Sequence, residues 1–291
     1  MRQLAETTWL NRGLSMKNLI IRTLTGLGFV AVTVACIMWN KYSFAVLMTG
    51  LMAVMMIEFY RMTMRGEYVF SQVLSILAGV VMFSLTFLYR GFDFPGRLVI
   101  LAIVPVFVMM INSLYVKDKT DFGKFANLYT ALLYIAVPMS MTNFIAFSHP
   151  GQYDGTLLLC FFVIVWVSDI GGYLFGMTIG QKYGKKLFPE VSPKKSWAGF
   201  WGGLCLAVAA GIALHYTGLL KYPVWHCIIL AVLMNIFGVY GDLIESQWKR
   251  YYAVKDSGTI MPGHGGILDR LDSALLALPV GIMYLMVLNI L

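Results

Sequence analysis

Charged residues are scarce in this sequence of 291 residues. Asp, Glu, Lys and Arg make up 12% of it, about half of the share usual in soluble domains, and 59% of the residues are hydrophobic. So few charges cannot cover a water-soluble globule of this length, which excludes a soluble enzyme and a disordered chain. The composition predicts an all-α, polytopic integral membrane protein.

Cysteine is also rare. The sequence has four cysteines, at Cys36, Cys160, Cys205 and Cys227. All four lie inside apolar stretches, and they show neither a CxxC pair nor the spacing of metal ligands. Cysteines of this kind behave as small buried hydrophobic residues. The pattern excludes a disulfide-rich secreted domain and argues against a zinc or redox role.

Apolar runs of about 20 residues, the length that crosses a bilayer, recur along the chain. About nine transmembrane helices are predicted, at residues 23–39, 43–60, 68–89, 98–115, 125–146, 156–179, 197–216, 224–246 and 271–291. Two of the connecting loops are long, 180–196 and 247–270. We expect residues 1–150 to be a scaffold of five spans with candidate dimer contacts, and residues 151–291 to be a catalytic region of four spans.

Lys and Arg are distributed unevenly between the two sides of this predicted topology. With a cytoplasmic N-terminus, only Lys41, Arg90, Arg97 and Lys221 fall outside, and the other 18 of the 22 basic residues fall inside. Cytoplasmic loops collect basic residues. We therefore expect a protein of the cytoplasmic (inner) membrane, with its N-terminus inside, its C-terminus outside, and both long loops and the active site facing the cytoplasm.

Six acidic residues lie in or beside the predicted spans, where ionisable groups are costly and usually functional. They are Glu58, Asp169, Asp242, Glu245, Asp269 and Asp272. Arg61 follows Glu58 by three residues, which predicts a local ion pair. The other five acids cluster around the two long loops, and this clustering indicates where the chemistry takes place.

The end of the eighth span and the start of the ninth both carry acids. Asp242, Glu245 and Ser246 share one helical face, and Asp269 and Asp272 share another. Carboxylates from two facing helix ends suit a hard divalent cation, which Mg²⁺ would share with phosphate oxygens.

The loop between these helix ends is rich in bases and glycines. Its basic residues suit phosphate groups: Lys249, Arg250, Lys255 and Arg270. Gly265 and Gly266 let backbone N–H groups approach an anion. His264 suits either a phosphate contact or a structural hydrogen bond. An ordinary cytoplasmic loop would explain a Glu245–Lys249 pair, but it explains the whole set poorly.

The earlier long loop follows the same logic. Asp169 and the Gly171–Gly172 pair interrupt an apolar span, as backbone does where it lines a polar cavity. The Lys194–Lys195 pair precedes the seventh span, and Ser196 can cap its N-terminus, which attracts anions. The alternative is a helix-packing face of small residues followed by a basic loop.

These residues resemble the signature of the phosphatidate cytidylyltransferases, also called CDP-diacylglycerol synthases. The main motif is Ser246-x₂-Lys249-Arg250-x₄-Lys255-Asp256-x-Gly258-x₃-Pro262-x-His264-Gly265-Gly266-x₂-Asp269-Arg270-Leu271-Asp272. Two upstream segments also resemble the family, Asp169-Ile170-Gly171-Gly172-Tyr173 and Ser192-Pro193-Lys194-Lys195-Ser196-Trp197-x-Gly199. Ile170 stands where the family usually has Thr, and Ala198 where it has Glu. Residues 1–150 match in hydropathy only.

The resemblance implies that CTP and phosphatidate react to give CDP-diacylglycerol and pyrophosphate. It further implies dependence on Mg²⁺, with a second cation left open, and a homodimer in contact with membrane lipid. No nucleic acid is expected as a partner.

The resemblance also implies roles for individual residues. Metal binding is implied for Asp242 and Asp269. Catalytic roles are assigned to Ser246, Lys249, Asp256, His264, Asp269 and Asp272. Substrate binding is assigned to Asp169, Lys194, Lys195, Lys249, Arg250, Lys255, Gly265, Gly266 and Arg270.

Two kinds of alternative remain at the level of sequence. A CTP-dependent lipid kinase would transfer the γ-phosphate to a neutral alcohol and release CDP, and a related cytidylyltransferase would use another lipid phosphate. A transporter also carries intramembrane acids and glycine-broken helices. The acids here cluster at the cytoplasmic edge of the predicted spans rather than at the midplane, which disfavours transport.

Overall fold

The architecture is all-α, in a computed structural model that describes residue 21 and residues 23–116, 122–182, 184–263 and 265–291. Eight helices of this described part are long and apolar enough to cross a membrane, and a shorter apolar helix covers Thr23–Trp39. These nine elements match the nine predicted spans in order. The prediction of a polytopic all-α membrane protein is confirmed.

The described residues of the first half of the chain form six α-helices. They are α1 (Thr23–Trp39), α2 (Lys41–Met64), α3 (Val69–Gly91), α4 (Val104–Ser113), α5 (Phe122–Ala131) and α6 (Val137–Ala146). A 3₁₀ helix, Gly96–Ile103, leads directly into α4, and a π-helical turn, Leu132–Ala136, joins α5 to α6. One apolar face of α2 forms much of the core, with Phe44, Met48, Met52, Met55 and Phe59 fully buried.

Four α-helices and a short hairpin make up the described part of the second half. They are α7 (Thr156–Phe175), β1 (Lys186–Phe188), β2 (Ser192–Ser196), α8 (Trp197–Tyr216), α9 (Val224–Tyr251) and α10 (Leu268–Val287). A π-helical turn, Gly176–Gly180, extends α7, and the two strands pair antiparallel. Helix α8 packs against α7 and α9, and α9 packs against α10.

Two helix starts follow from local capping. The side chain of Asn40 accepts hydrogen bonds from the N–H groups of Tyr42 and Ser43, and the Ser43 hydroxyl accepts one from the Asn40 N–H, which completes a capping box at α2. The Ser196 hydroxyl accepts the N–H of Gly199 at 3.2 Å. The predicted cap of the seventh span by Ser196 is therefore confirmed.

The π-helical turn before α6 has a local cause. Pro138 has no N–H to donate to the carbonyl of Tyr134 four residues earlier, so the regular hydrogen-bond ladder cannot pass this point. The helix widens at Leu132–Ala136 instead. Tyr134 lies within this turn, and its hydroxyl donates to the carbonyl of Gly241 at 3.0 Å, which ties the first half of the chain to α9.

The predicted interruption at Gly171 and Gly172 is wrong, because α7 continues through both residues as regular α-helix. A Cβ on Gly171 would lie 2.8 Å from the carbonyl oxygen of Gly202, and one on Gly199 would lie 2.8 Å from that of Gly172. These glycines therefore let α7 and α8 approach closely, as small residues do between membrane helices. The alternative interpretation of this segment, a helix-packing face of small residues, is therefore correct for these glycines.

The two helices that flank the main motif extend further into the motif than the hydropathy predicts. Helix α9 continues to Tyr251, so that Lys249 and Arg250 lie on a helix rather than in the loop. Helix α10 begins at Leu268, which places Asp269 in its first turn. Polar side chains at these helix ends give no hydropathy signal, and they shorten the predicted spans.

Helices α9 and α10 approach closely at Gly241. A Cβ at this position would lie 2.4 Å from the carbonyl oxygen of Asp272, whereas one on Gly238, a turn earlier, would lie 3.7 Å from Ser273. Only a glycine at 241 allows this approach, and Asp242 comes next in the chain.

We predict that Gly241→Ala destabilises the protein and that Gly238→Ala does not. The methyl group at 241 must push α9 away from α10, which typically costs about 1–3 kcal/mol for an overpacked site. At 238 the same change meets ordinary van der Waals contacts and gains helix propensity. Thermal unfolding of the two variants in detergent measures the difference, and equal unfolding midpoints would contradict the close packing at Gly241.

Candidate active site

A polar cavity of about 670 Å³ lies among α7, α8, α9, α10 and the hairpin. It is lined by residues of both sequence motifs. Nine of the predicted site residues contribute to its wall: Asp169, Lys194, Lys195, Asp242, Lys249, Asp256, Asp269, Arg270 and Asp272. The fold thus brings together two segments that lie about 50 to 100 residues apart in the sequence.

Three carboxylates form the most acidic part of this region. Oxygens of Asp242 and Glu245 on α9 and of Asp272 on α10 all lie within 4.8 Å of one another. Like charges at this distance repel one another strongly in a partly buried site. The arrangement therefore requires nearby positive charge, from side chains or from a bound cation.

Lysine 195 supplies positive charge from the hairpin. Its Nζ lies 2.7 Å from Oδ2 of Asp242, while the hydroxyl of Ser246 donates to Oδ1 of the same carboxylate at 3.2 Å. The ion pair links β2 to α9 and so joins the two motifs. Elsewhere in the cavity, the hydroxyl of Ser273 on α10 donates to Oδ1 of Asp169 on α7 at 3.2 Å.

Lysine 249 bridges two acids. Its Nζ lies 2.5 Å from Oε2 of the fully buried Glu245 and 2.8 Å from Oδ1 of Asp269. The local Glu245–Lys249 pair considered from the sequence is therefore present, but Asp269 on α10 shares the lysine. Removing one partner would leave an uncompensated buried charge, so this triad couples α9 to α10.

The carboxylate of Asp269 is held by the motif loop as well. Its Oδ2 accepts the N–H of Ser257 at 2.9 Å, the hydroxyl of Ser257 at 3.0 Å and the N–H of Gly266 at 2.8 Å. Gly265 has φ +88°, and a Cβ there would lie 2.8 Å from the same oxygen. The loop therefore wraps tightly around Asp269, and only glycine fits at 265.

Five of the predicted site residues do not line the cavity. They are Ser246, Arg250, Lys255, Gly265 and Gly266. Arg250 is exposed and its Nε donates to the carbonyl of Val191 in the hairpin at 3.4 Å, and Lys255 is exposed on the loop. His264 lies outside the described residues.

The predicted Glu58–Arg61 ion pair is wrong. Arg61 is exposed, whereas Glu58 is fully buried and no ion pair joins the two among the described residues. The carboxylate of Glu58 accepts instead the backbone N–H groups of Ile267 and Leu268. Helix α2 turns this side chain towards α10. The two backbone N–H groups there compensate the lost hydration of the buried carboxylate, so that no ion pair with Arg61 is needed.

Sequence reasoning also missed polar residues of the spans that line the cavity. The hydroxyl of Ser168 on α7 donates to Oδ1 of Asn235 on α9 at 2.7 Å, and both side chains line the wall. Ser273 on α10 lines it too, and so does Gln181 of the loop that follows α7. Asn235 carries a signal in the sequence, because an Asn within an apolar span requires a partner.

The sequence is similar to that of known proteins over most of its length. The sequence model of the cytidylyltransferase family matches residues 20–288 of the chain. A phosphatidate cytidylyltransferase of Bacillus subtilis is 32% identical over 259 residues, which cover 89% of this chain and 94% of that protein. One of Staphylococcus aureus is 36% identical over 173 residues, 60% of this chain and 64% of the relative.

Proposed function

Because the chain belongs to the cytidylyltransferase family, we propose that its reaction is that of its phosphatidate cytidylyltransferase relatives. The chain is then a nucleotidyltransferase that converts CTP and phosphatidate to CDP-diacylglycerol and pyrophosphate, in phospholipid biosynthesis. One structural observation carries most weight: carboxylates and lysines from both motifs line a single cavity. Such a mixture suits a metal ion and a polyanionic substrate together.

The proposed reaction needs no strong general base from the protein. A phosphate oxygen of phosphatidate attacks the α-phosphorus of CTP, a new P–O bond forms there, and the bond to the bridging oxygen breaks so that pyrophosphate leaves. The nucleophile is already ionised, so positioning and charge neutralisation provide the catalysis. We assign Lys194, Lys195 and Arg270 to phosphate binding, because all three line the cavity.

The acidic group fits a divalent cation. Asp242, Glu245 and Asp272 offer hard oxygen ligands from two helices within 4.8 Å of one another. We propose that they hold Mg²⁺, which when bound neutralises phosphate charge and favours departure of pyrophosphate. Asp269, the second ligand predicted from the sequence, lines the same cavity and is held by Lys249 and Ser257.

The proposed access routes follow from the predicted topology. CTP enters the cavity from the cytoplasm, and phosphatidate enters sideways from the inner leaflet with its acyl chains still in lipid. In this proposal residues 151–291 carry the chemistry, residues 1–150 form the scaffold, and two copies of the chain associate as a homodimer. Dehydration is then needed only for the lipid head group.

The proposed reaction predicts which phosphorus atom reaches the lipid. Purified protein incubated with Mg²⁺, phosphatidate and CTP labelled at the α-phosphorus is expected to give a labelled liponucleotide and one pyrophosphate per turnover. CTP labelled at the γ-phosphorus is expected to label only pyrophosphate. Release of CDP with γ-label in the lipid identifies a lipid kinase and contradicts the proposal, and phosphatidate-independent turnover contradicts it as well.

We predict that Asp242→Asn lowers kcat by about a hundredfold or more, because a metal ligand contributes several kcal/mol of charge stabilisation. The Mg²⁺ concentration for half-maximal activity is expected to rise in any residual activity. Glu190→Gln, the same loss of charge at an exposed hairpin position, is the matched control and should be silent. Near-normal activity of Asp242→Asn at ordinary Mg²⁺ would remove Asp242 from the metal site.

The proposed sidedness is tested with single cysteines in a protein whose four native cysteines are replaced. Thr259→Cys in the motif loop and Glu190→Cys in the hairpin are expected to react with an impermeant thiol reagent from the cytoplasmic face only. Thr217→Cys, in the short connection between α8 and α9, is expected to react from the opposite face. The reverse pattern would overturn the orientation and with it the access route for CTP.

A further inference from the structure

Helix α2 contributes one acid, Glu58, to the region of the main motif. Its side chain is fully buried, and a buried carboxylate is tolerated only where hydrogen bonds or counter-charges compensate it. Oε1 accepts the N–H of Ile267 at 3.1 Å, and Oε2 accepts the N–H of Leu268 at 2.9 Å. These partners stand 209 and 210 residues further along the chain.

The two N–H groups belong to the start of α10. Ile267 occupies the N-cap position and makes no side-chain cap of its own, so the first N–H groups of the helix need another acceptor. Glu58 fills this role from a different helix. Its carboxylate also lies at the positive end of the α10 dipole, where an anion is stabilised.

Two glycines of the motif are explained by the same carboxylate. A Cβ on Gly258 would lie 2.4 Å from Oε1 of Glu58, and one on Gly266 would lie 2.5 Å from Oε2. Any other residue at either position would displace the acid. The motif loop therefore closes around Glu58 from both of its ends.

A short chain of contacts leads from Glu58 to the cavity. The hydroxyl of Ser257 lies 3.4 Å from Oε2 of Glu58 and 3.0 Å from Oδ2 of Asp269. Gly266, whose lack of a Cβ makes room for Glu58, donates its N–H to Asp269. Glu58 itself does not line the cavity, whereas Asp269 does.

We propose that Glu58 is a positioning residue for the active site. It anchors the motif loop and the first turn of α10. Asp269 on α10 and its ion-pair partner Lys249 on α9 therefore face the cavity. Helix α2, from the half of the chain expected to be scaffold, thereby supports the chemistry directly. The catalytic consequence rests on the proposed function, whereas the anchoring does not.

The test compares Glu58→Gln with Glu67→Gln, an exposed acid beyond the end of α2. Glutamine keeps the shape of Glu58, but its NH₂ group faces a backbone N–H that has lost its acceptor. Hydrogen exchange of the detergent-solubilised protein is expected to accelerate in residues 257–268 and to stay unchanged in α8. In the cytidylyltransferase assay, kcat is expected to fall about tenfold or more, with KM for CTP within about threefold.

The two readouts separate the possible failures. Unchanged exchange in residues 257–268 overturns the anchoring, and faster exchange with normal kcat overturns the positioning role. If the wild-type protein shows no cytidylyl transfer, the proposed function is refuted. The anchoring by Glu58 is then still tested by hydrogen exchange in residues 257–268.

If Glu58→Gln does not fold, Ser257→Ala provides the second variant. It keeps the buried carboxylate and removes the hydroxyl between Glu58 and Asp269, so we expect the same kcat-directed loss at smaller size. Kinetics equal to wild type in this variant would overturn the proposed path through Ser257.

Discussion

The close approach of α9 and α10 is the constraint on which the site depends. It is possible because Gly241 has no Cβ to collide with the backbone of Asp272. At this crossing, acids from two helices come within 4.8 Å of one another, although 30 residues separate Asp242 from Asp272 in the sequence. A wider crossing would leave isolated carboxylates near the membrane, which neither bind a cation nor tolerate burial.

Positive charge and backbone donors make this acidic cluster possible. Lys195 pairs with Asp242, Lys249 pairs with Glu245 and Asp269, and two N–H groups of α10 satisfy Glu58. Each compensating group comes from a different element, so the hairpin, α9 and α10 must all be in place together. Lys195, which pairs with Asp242 in the resting site, is also one of the groups we assign to phosphate, and this links the stability of the site to its proposed chemistry.

Much of the architecture could be predicted from the sequence, because bilayer length and hydropathy are local signals. The order of the nine apolar helices and the Ser196 cap follow from such signals, and so does the location of the acids at two loops. Contacts between distant segments could not be predicted in this way. Arg61 is three residues from Glu58, yet the true partners lie more than 200 residues away. The sequence predicts a break at Gly171, because it does not show the glycine of α8 that packs against this residue.

The central claim is that the acids at the α9–α10 crossing hold the metal ion of the reaction. Crystals grown with Mn²⁺ and a non-hydrolysable CTP analogue test it most directly, because anomalous scattering locates manganese unambiguously. The account predicts a peak about 2.0–2.3 Å from an oxygen of Asp242 and from Glu245 or Asp272, with nucleotide phosphate completing the coordination. A nucleotide-bound structure whose manganese contacts none of these three carboxylates would contradict it.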